Sequence, residues 1–331
     1  MIDAALAGVP EISVVGSVFS GEKALDFLVN NSVDLITLDI EMPGIGGLKT
    51  LEAIRQLPNP PGVILVSALT RAGALVTIEG LQRGAFDFLL KPQAPNLQTN
   101  EADLRHKLLE KISAFCERRR RLPALSIPIR PPVARPRGRF RAVAIGVSTG
   151  GPAALTDLLP VLTRQIQVPI FIVQHNIEGL SSFLAENLQR RCGTRVLEAT
   201  DGLAVDSGTV YMAPSGRHMM VRSTQGRFEI SLNDLPKESG FRPSVDVLFR
   251  SLAPIYGSGL ITLILTGMGD DGTRGLAAVR RAGGYVIAQD EASSVVWGMP
   301  GAAVRAGHVD EILPLSAMPA ALVAMVGGSS P

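Results

Sequence analysis

Aromatic residues make up only 5% of this 331-residue chain, and there is a single tryptophan. A chain of this length is comfortable for two cores rather than one. Those cores must be built from Ala, Val, Leu and Ile within a composition that is 46% hydrophobic. That mix suits parallel sheets covered on both faces. Cysteine is nearly absent: Cys116 and Cys192 supply neither a ligand pair nor a disulfide framework, which fits a reducing cytoplasm. No stretch of about 18 apolar residues occurs, so membrane insertion is not expected. The start, Met1-Ile2-Asp3-Ala4, has no basic region followed by an apolar run, so no signal peptide is expected. A formal charge of +2 lacks the excess of one sign that would point to nucleic acid.

What the chain does have is alternation. Ile12–Val18, Leu35–Asp39, Val63–Ser67 and Phe86–Leu90 read as strands, with helices at Glu22–Asn30, Gly47–Gln56 and Ala74–Arg83 between them. A charged helix, Glu101–Arg121, ends in four arginines and leads into Leu122–Arg141, with prolines at 123, 128, 131, 132 and 136. Proline at that density blocks helix and central strand, so the segment reads as a semi-rigid linker. The basic run reads as a solvated helix end, with contact to an acidic partner or membrane surface as the alternative. Strands then resume at Ala142–Val147, Ile170–Gln174, Arg195–Ala199, Leu260–Thr266 and Tyr285–Ala288. Thr209–Ala213, Met219–Arg222 and Phe228–Leu232 are short and punctuated by glycine, and read as antiparallel hairpins inserted in the fold. The expected fold class is α/β throughout. Residues 1–98 form one domain, 99–140 a helix and linker, and 141–331 a doubly wound, mostly parallel domain.

The strand Ala142–Val147 runs into Ser148-Thr149-Gly150-Gly151-Pro152. A serine between glycines directly after an apolar strand can be a nucleophile on a tight turn, with the N–H groups of the following helix, Ala153–Leu162, facing it. A glycine-rich phosphate cradle is the competing reading, but Ser148 stands where G-x-G-x-x-G needs its second glycine, and no P-loop lysine follows. Serine needs a base. Of the four histidines, His175 follows the strand ending at Gln174, so it shares the C-terminal sheet edge with Ser148. His106 sits on the charged helix, His218 beside the hairpins, and His308 is less well placed. The strand from Leu260 leads to Asp270-Asp271 among glycines, where a carboxylate can orient an imidazole. Either aspartate satisfies that reading, and Asp271 also suits a helix N-cap. The order Ser, His, Asp differs from the Ser, Asp, His of α/β-hydrolases.

Together, Ala144–Pro152, Gln174-His175, Met212-Ala213-Pro214 with His218-Met219, Phe241–Asp246, Leu265–Gly272 and Ala288–Pro300 resemble the CheB family of chemotaxis protein-glutamate methylesterases. The resemblance spans nearly all of residues 140–315. It implies Ser148 as nucleophile, His175 as base and Asp271, rather than Asp270, as orienting acid. It also implies that the Met268 N–H serves the oxyanion hole and that Thr149 shapes the site. The reaction implied is hydrolysis of a γ-glutamyl methyl ester on a chemoreceptor's cytoplasmic helices, with deamidation of glutamines by the same acyl chemistry and no catalytic cofactor. An adaptor that has lost activity, and a hydrolase acting on another ester or amide, are the competing functions; the presence of all three residues argues against the first.

In the N-terminal half, Asp39, Ser67 and Lys91 stand at three strand ends, where an acidic side chain, a hydroxyl and a cation can hold a phosphoryl group. Lys91-Pro92 is a candidate cis bond. This half resembles a flavodoxin-like response-regulator receiver, with Asp39 as phosphoacceptor and a chemotaxis histidine kinase as phosphodonor. Such a receiver begins with a strand ending in an acidic pair that holds Mg²⁺. Here the chain starts inside what should be the first helix, and Asp3 is no substitute. The receiver therefore reads as N-terminally truncated, with Met1 an internal methionine of a longer protein; a degenerate receiver is the alternative. In the family the unphosphorylated receiver covers the esterase site.

Overall fold

A computed structural model describes residues 2–68, 70–91, 97–120, 140–175 and 179–327. They fall into two compact units, one within 1–121 and one within 122–331.

The first unit runs α1 (Ile2–Leu6), α2 (Gly21–Asn30), β1 (Leu35–Asp39), α3 (Gly46–Arg55), β2 (Gly62–Ser67), α4 (Arg71–Gln82), β3 (Asp87–Leu90) and α5 (Leu97–Arg120). Its three strands pair in parallel in the order β1-β2-β3. Helix starts follow local capping chemistry: Ser20 accepts from the Lys23 N–H (3.4 Å) and Thr70 from the Gly73 N–H (2.9 Å). The expected strand at Ile12–Val18 does not form. No strand of this sheet lies alongside it, Val14, Val15 and Val18 are exposed, and an unpaired strand leaves its backbone groups without partners. α5 packs on this unit: Phe115 meets Phe86 edge-on (5.3 Å between centroids) and Lys111 pairs with the buried Asp87 at 2.7 Å. The proline-rich linker and the Lys91-Pro92 bond lie outside the described residues.

The second unit runs β4 (Ala142–Val147), α6 (Gly151–Leu162), β5 (Ile170–Gln174), α7 (Ser181–Cys192), β6 (Val196–Glu198), β7 (Val210–Met212), β8 (His218–Thr224), β9 (Arg227–Asn233), α8 (Val245–Tyr256), β10 (Leu260–Ile264), α9 (Thr273–Arg281), β11 (Tyr285–Gln289), α10 (Met299–Arg305), β12 (Glu311–Leu313) and α11 (Met318–Val326). Seven strands make one sheet in the order β12-β11-β10-β4-β5-β7-β6, and every pairing is parallel. β4, β5, β10 and β11 are buried along their whole length, as a sheet covered on both faces requires. From β4 the chain winds outward to β5, and from β10 it winds the other way to β11. The crevice beyond the carboxyl ends of β4 and β10 is therefore the topological switch point, where doubly wound sheets bind ligands.

One expected hairpin is corrected. Thr209–Ala213 supplies β7, a parallel strand inserted between β5 and β6, not an antiparallel one. Val210-Tyr211-Met212 is buried throughout, and a short apolar run of this kind suits a central parallel strand as well as a hairpin arm. β8 and β9 do form an antiparallel hairpin, from His218 opposite Asn233 to Thr224 opposite Arg227. Among the described residues, no helix is long and apolar enough to cross a membrane.

Candidate active site

The carboxyl ends of β4, β5 and β10 bring Ser148, His175 and Asp271 to one sheet edge. The backbone fixes the first two relative to each other. The His175 N–H donates to the Val147 carbonyl (3.0 Å), and the Ser148 N–H donates across the sheet to Thr266 (3.0 Å). The Gln174 amide nitrogen donates to the carbonyls of both Ser148 (3.0 Å) and His175 (2.9 Å), pinning the two turns together. Gly267 permits the close approach of the third turn: a Cβ there would lie 2.7 Å from that of Ser148.

Helix α6 offers less to the site than its position suggests. Its first N–H, from Gly151, is taken by the Ser148 carbonyl (2.8 Å), and Pro152 has none. The Met268 N–H differs from its neighbour: Gly267 donates to Val296 at 2.9 Å, whereas Met268 has no partner among the described residues. Thr149 is buried beside Ser148, and its carbonyl accepts from the Thr266 hydroxyl at 2.9 Å.

His175 Nε2 lies 2.8 Å from Asp271 Oδ2, with the imidazole 4% and the carboxylate 0% exposed. An ionised carboxylate only accepts, so Nε2 carries the hydrogen. Nδ1, which is buried and has no partner among the described residues, is left with its lone pair. The imidazole also stacks on the ring of Phe241, 3.8 Å between centroids and 4° from parallel.

Asp270 is exposed and Asp271 fully buried. Asp271 does not cap its own helix, whose N-cap is Gly272. Instead it sits at the start of α8. Oδ1 accepts from the Ser244 hydroxyl (2.8 Å) and the Asp246 N–H (3.0 Å), and Oδ2 from the Val245 N–H (2.8 Å). A helix N-terminus favours a negative charge. Burial pushes this carboxyl up, but His175 and the N–H groups of Val245 and Asp246 outweigh it and hold it below its ordinary value.

These partners on α8 carried no role in the sequence. Ser244 ahead of an amphipathic run is a recognisable N-cap signal, but its hydroxyl caps nothing in its own helix and serves Asp271 instead. Asp246 is buried behind the pair, accepting from the Gly275 N–H at 2.6 Å. Burial first, and the Asp271 charge as well, push it up to about 6 from 3.8. A carboxyl raised in the folded state contributes stability below its unfolded value and loses it as pH rises through the folded one. Asp246→Asn keeps the acceptor for Gly275 and removes the second charge. Its unfolding midpoint should therefore gain on the parent between about pH 4 and about pH 6.5. A gap that stays constant across that range would refute the charge argument.

Two of the other histidines have structural surroundings. His218 is buried, accepts from the Ser244 N–H at Nδ1 (3.2 Å) and meets the Pro236 carbonyl at Nε2 (3.0 Å). His106 is an exposed partner of Glu110.

In the first unit, Asp39, Ser67 and Lys91 share the carboxyl edge of β1, β2 and β3. Lys91 Nζ lies 2.8 Å from Asp39 and 3.7 Å from Glu41. The hydrogen bond to Asp39 chiefly raises the lysine's pKa. Ser67 turns elsewhere: its buried hydroxyl donates to the carbonyls of Ala68 (3.2 Å) and Gly73 (3.3 Å). Among the described residues, no group of three or more His, Cys, Asp or Glu could hold a metal ion. The lysine between Asp39 and Glu41 is the opposite of what a hard dication needs, so these residues do not fit Mg²⁺.

This geometry has relatives. Residues 143–322 match the CheB methylesterase family, and residues 2–102 match the response regulator receiver domain. A protein-glutamate methylesterase/protein-glutamine glutaminase of Desulfotalea psychrophila is 39% identical, over 94% of this chain and 90% of its own. One from Trichodesmium erythraeum is 40% identical, over 96% and 92%. The crystal structure of the Thermotoga maritima CheB methylesterase catalytic domain is 39% identical with a TM-score of 0.54, covering 56% of this chain and 97% of that one.

Proposed function

The chain belongs to the CheB methylesterase family, and from that premise we propose that it hydrolyses glutamate γ-methyl esters, and deamidates glutamines, on the cytoplasmic helices of chemoreceptors. It is a response regulator with a receiver domain ahead of a hydrolase, acting in chemotactic adaptation; on this reading it works in the cytoplasm. The division taken is receiver 1–98, helix and linker 99–140, and catalytic domain 141–331.

The observation that carries the reading is the buried His175–Asp271 pair, its Nδ1 without a partner among the described residues, on the strand end next to that of Ser148. Ser148 Oγ attacks the ester carbonyl while His175 Nδ1 takes its proton. The carbonyl oxygen becomes an oxyanion, to which the Met268 N–H is offered; Thr149 shapes the adjoining wall. The imidazolium then returns its proton to the departing methoxide, releasing methanol. Water, deprotonated by the same nitrogen, cleaves the acyl-serine to glutamate. An amide substrate differs only in releasing ammonia. Purified protein should release methanol from glutamyl-methylated receptor fragments. A fluorophosphonate should label one peptide, the one holding Ser148. Methanol release at the uncatalysed rate would overturn the reading.

Asp39 is the phosphoacceptor in this reading, supplied by a chemotaxis histidine kinase, with Lys91 to bind the phosphoryl charge and Ser67 lining the same edge. Acetyl phosphate should place an acyl phosphate on Asp39 and raise methanol release, and Asp39→Asn should abolish the rise. Turnover indifferent to the phosphodonor would remove Asp39 from this role.

A further inference from the structure

We infer that Phe241 is a positioning residue of the hydrolytic site, holding the imidazole of His175 in the plane needed for proton transfer. The inference rests on the roles proposed above for Ser148 and His175.

Asp271 grips the imidazole at one atom only, Nε2. A single hydrogen bond leaves the ring free to rock about that contact and to change the direction in which Nδ1 points. Phe241 closes off that motion. Its ring covers the imidazole face at 3.8 Å between centroids and 4° from parallel. Two aromatic rings left to themselves prefer offset or edge-to-face contacts over full face-to-face overlap. The overlap here is therefore imposed by the backbone that carries Phe241.

That backbone is a strap, residues 234–244, tied at several points. Glu238 and Phe241 exchange both backbone hydrogen bonds (3.1 and 2.9 Å) around Ser239 and Gly240. Both central residues have positive φ, 52° and 83°, as a two-residue type I′ turn requires. Ser239 is not glycine, so this conformation is an uncommon one for it. Its hydroxyl donates to Asp246 Oδ2 at 3.3 Å. Glu238 pairs with Arg250 of α8. After Phe241, the Arg242 guanidinium donates to the carbonyls of Asp234 (2.8 Å) and Leu235 (3.2 Å). His218 joins the two ends of the strap through Pro236 (3.0 Å) and Ser244 (3.2 Å). The same strap ends at Ser244 and leads into Val245 and Asp246 of α8, and all three bond Asp271. One backbone segment thus orients the acid from below and the base from its face. A flat π-face also favours the imidazolium that forms when Ser148 gives up its proton.

The test compares Phe241→Leu, which keeps apolar bulk and loses the flat face, with Phe241→Tyr, which keeps the face. Methanol release from a glutamyl-methylated receptor fragment is measured for each full-length variant, separating kcat from KM. Phe241→Leu should lower kcat by about tenfold or more, as displaced catalytic groups do, with KM unchanged. Phe241→Tyr should stay close to the parent. The inference is overturned if Phe241→Leu keeps its kcat, if its loss lies in KM alone, or if Phe241→Tyr falls as far. Thermal unfolding checks each variant's fold; should Phe241→Leu not fold, Phe241→Met carries the same comparison. A Ser148→Ala control separates the two readings. Turnover that survives it counts against the proposed nucleophile, whereas an active Phe241→Leu beside a dead Ser148→Ala counts against Phe241 alone.

Discussion

Ser148→Ala should lower turnover by on the order of 10⁴-fold or more, the scale at which removing a triad nucleophile acts, while leaving stability almost untouched. The two halves of that expectation have separate causes. Catalysis is lost because the hydroxyl that His175 would activate is gone, and the nearby Thr266 hydroxyl is committed to the Thr149 and Val296 carbonyls (2.9 and 3.2 Å). Stability is kept because the Ser148 turn is held by its backbone. Its N–H and carbonyl bond to Thr266, Gly151 and Gln174, and alanine retains all of these. A change within about 0.5 kcal/mol is expected. Methanol release and thermal unfolding on the same sample check both halves. Turnover above one-hundredth of the parent's would sink the assignment.

Asp271 should behave in the opposite way, losing activity and stability together. Every donor around its carboxylate points inward: the Ser244 hydroxyl, the N–H groups of Val245 and Asp246, and His175 Nε2. Asp271→Ala strands these buried groups, and a cost of about 3–5 kcal/mol is expected. Asp271→Asn is nearly isosteric, yet its amide nitrogen must face a donor on either side. Placed toward Oδ1 it meets the Asp246 N–H. Placed toward Oδ2 it meets the Val245 N–H and asks Nε2 to accept, which moves the imidazole hydrogen to Nδ1 and removes the lone pair Ser148 needs. A loss of about 10⁴ in kcat follows from the wrong tautomer. Because the folded-state carboxyl is held below its ordinary value, the parent's Asp271 contribution to stability is present at neutral pH. It drains away as pH falls through the folded value. The stability gap between parent and Asp271→Asn should therefore narrow in acid. A variant as stable and active as the parent would show that Asp271 neither holds the strap nor orients the base.

Much of the second unit is legible one segment at a time. Fully apolar runs such as Val143–Ile145 and Leu263–Leu265 announce buried parallel strands, and the glycines after them announce turns. Segments whose partners lie far along the chain are harder to read. Val210–Met212 is as apolar as a hairpin arm and becomes a central parallel strand because β5 and β6 both offer it a ladder. Ile12–Val18 has strand composition and no strand beside it. Ser67 stands at the expected strand end, but its hydroxyl is taken by local carbonyls.

The same division holds for the site. By itself the sequence determined which residue types stand at which strand ends, because apolar runs and glycine turns are written locally. That suffices to propose Ser148 and His175 together and to leave Asp270 and Asp271 side by side as carboxylates. Only the tertiary structure decided which aspartate is buried. It also decided that the N-terminus of α8 holds that aspartate, that His175 meets it through Nε2, and that Phe241 lies flat on the imidazole. Each of these depends on chain segments 25 or more residues apart in sequence meeting at hydrogen-bond or van der Waals distance. No local pattern of polarity encodes such a meeting; it follows from how the sheet winds and from the strap that crosses its edge.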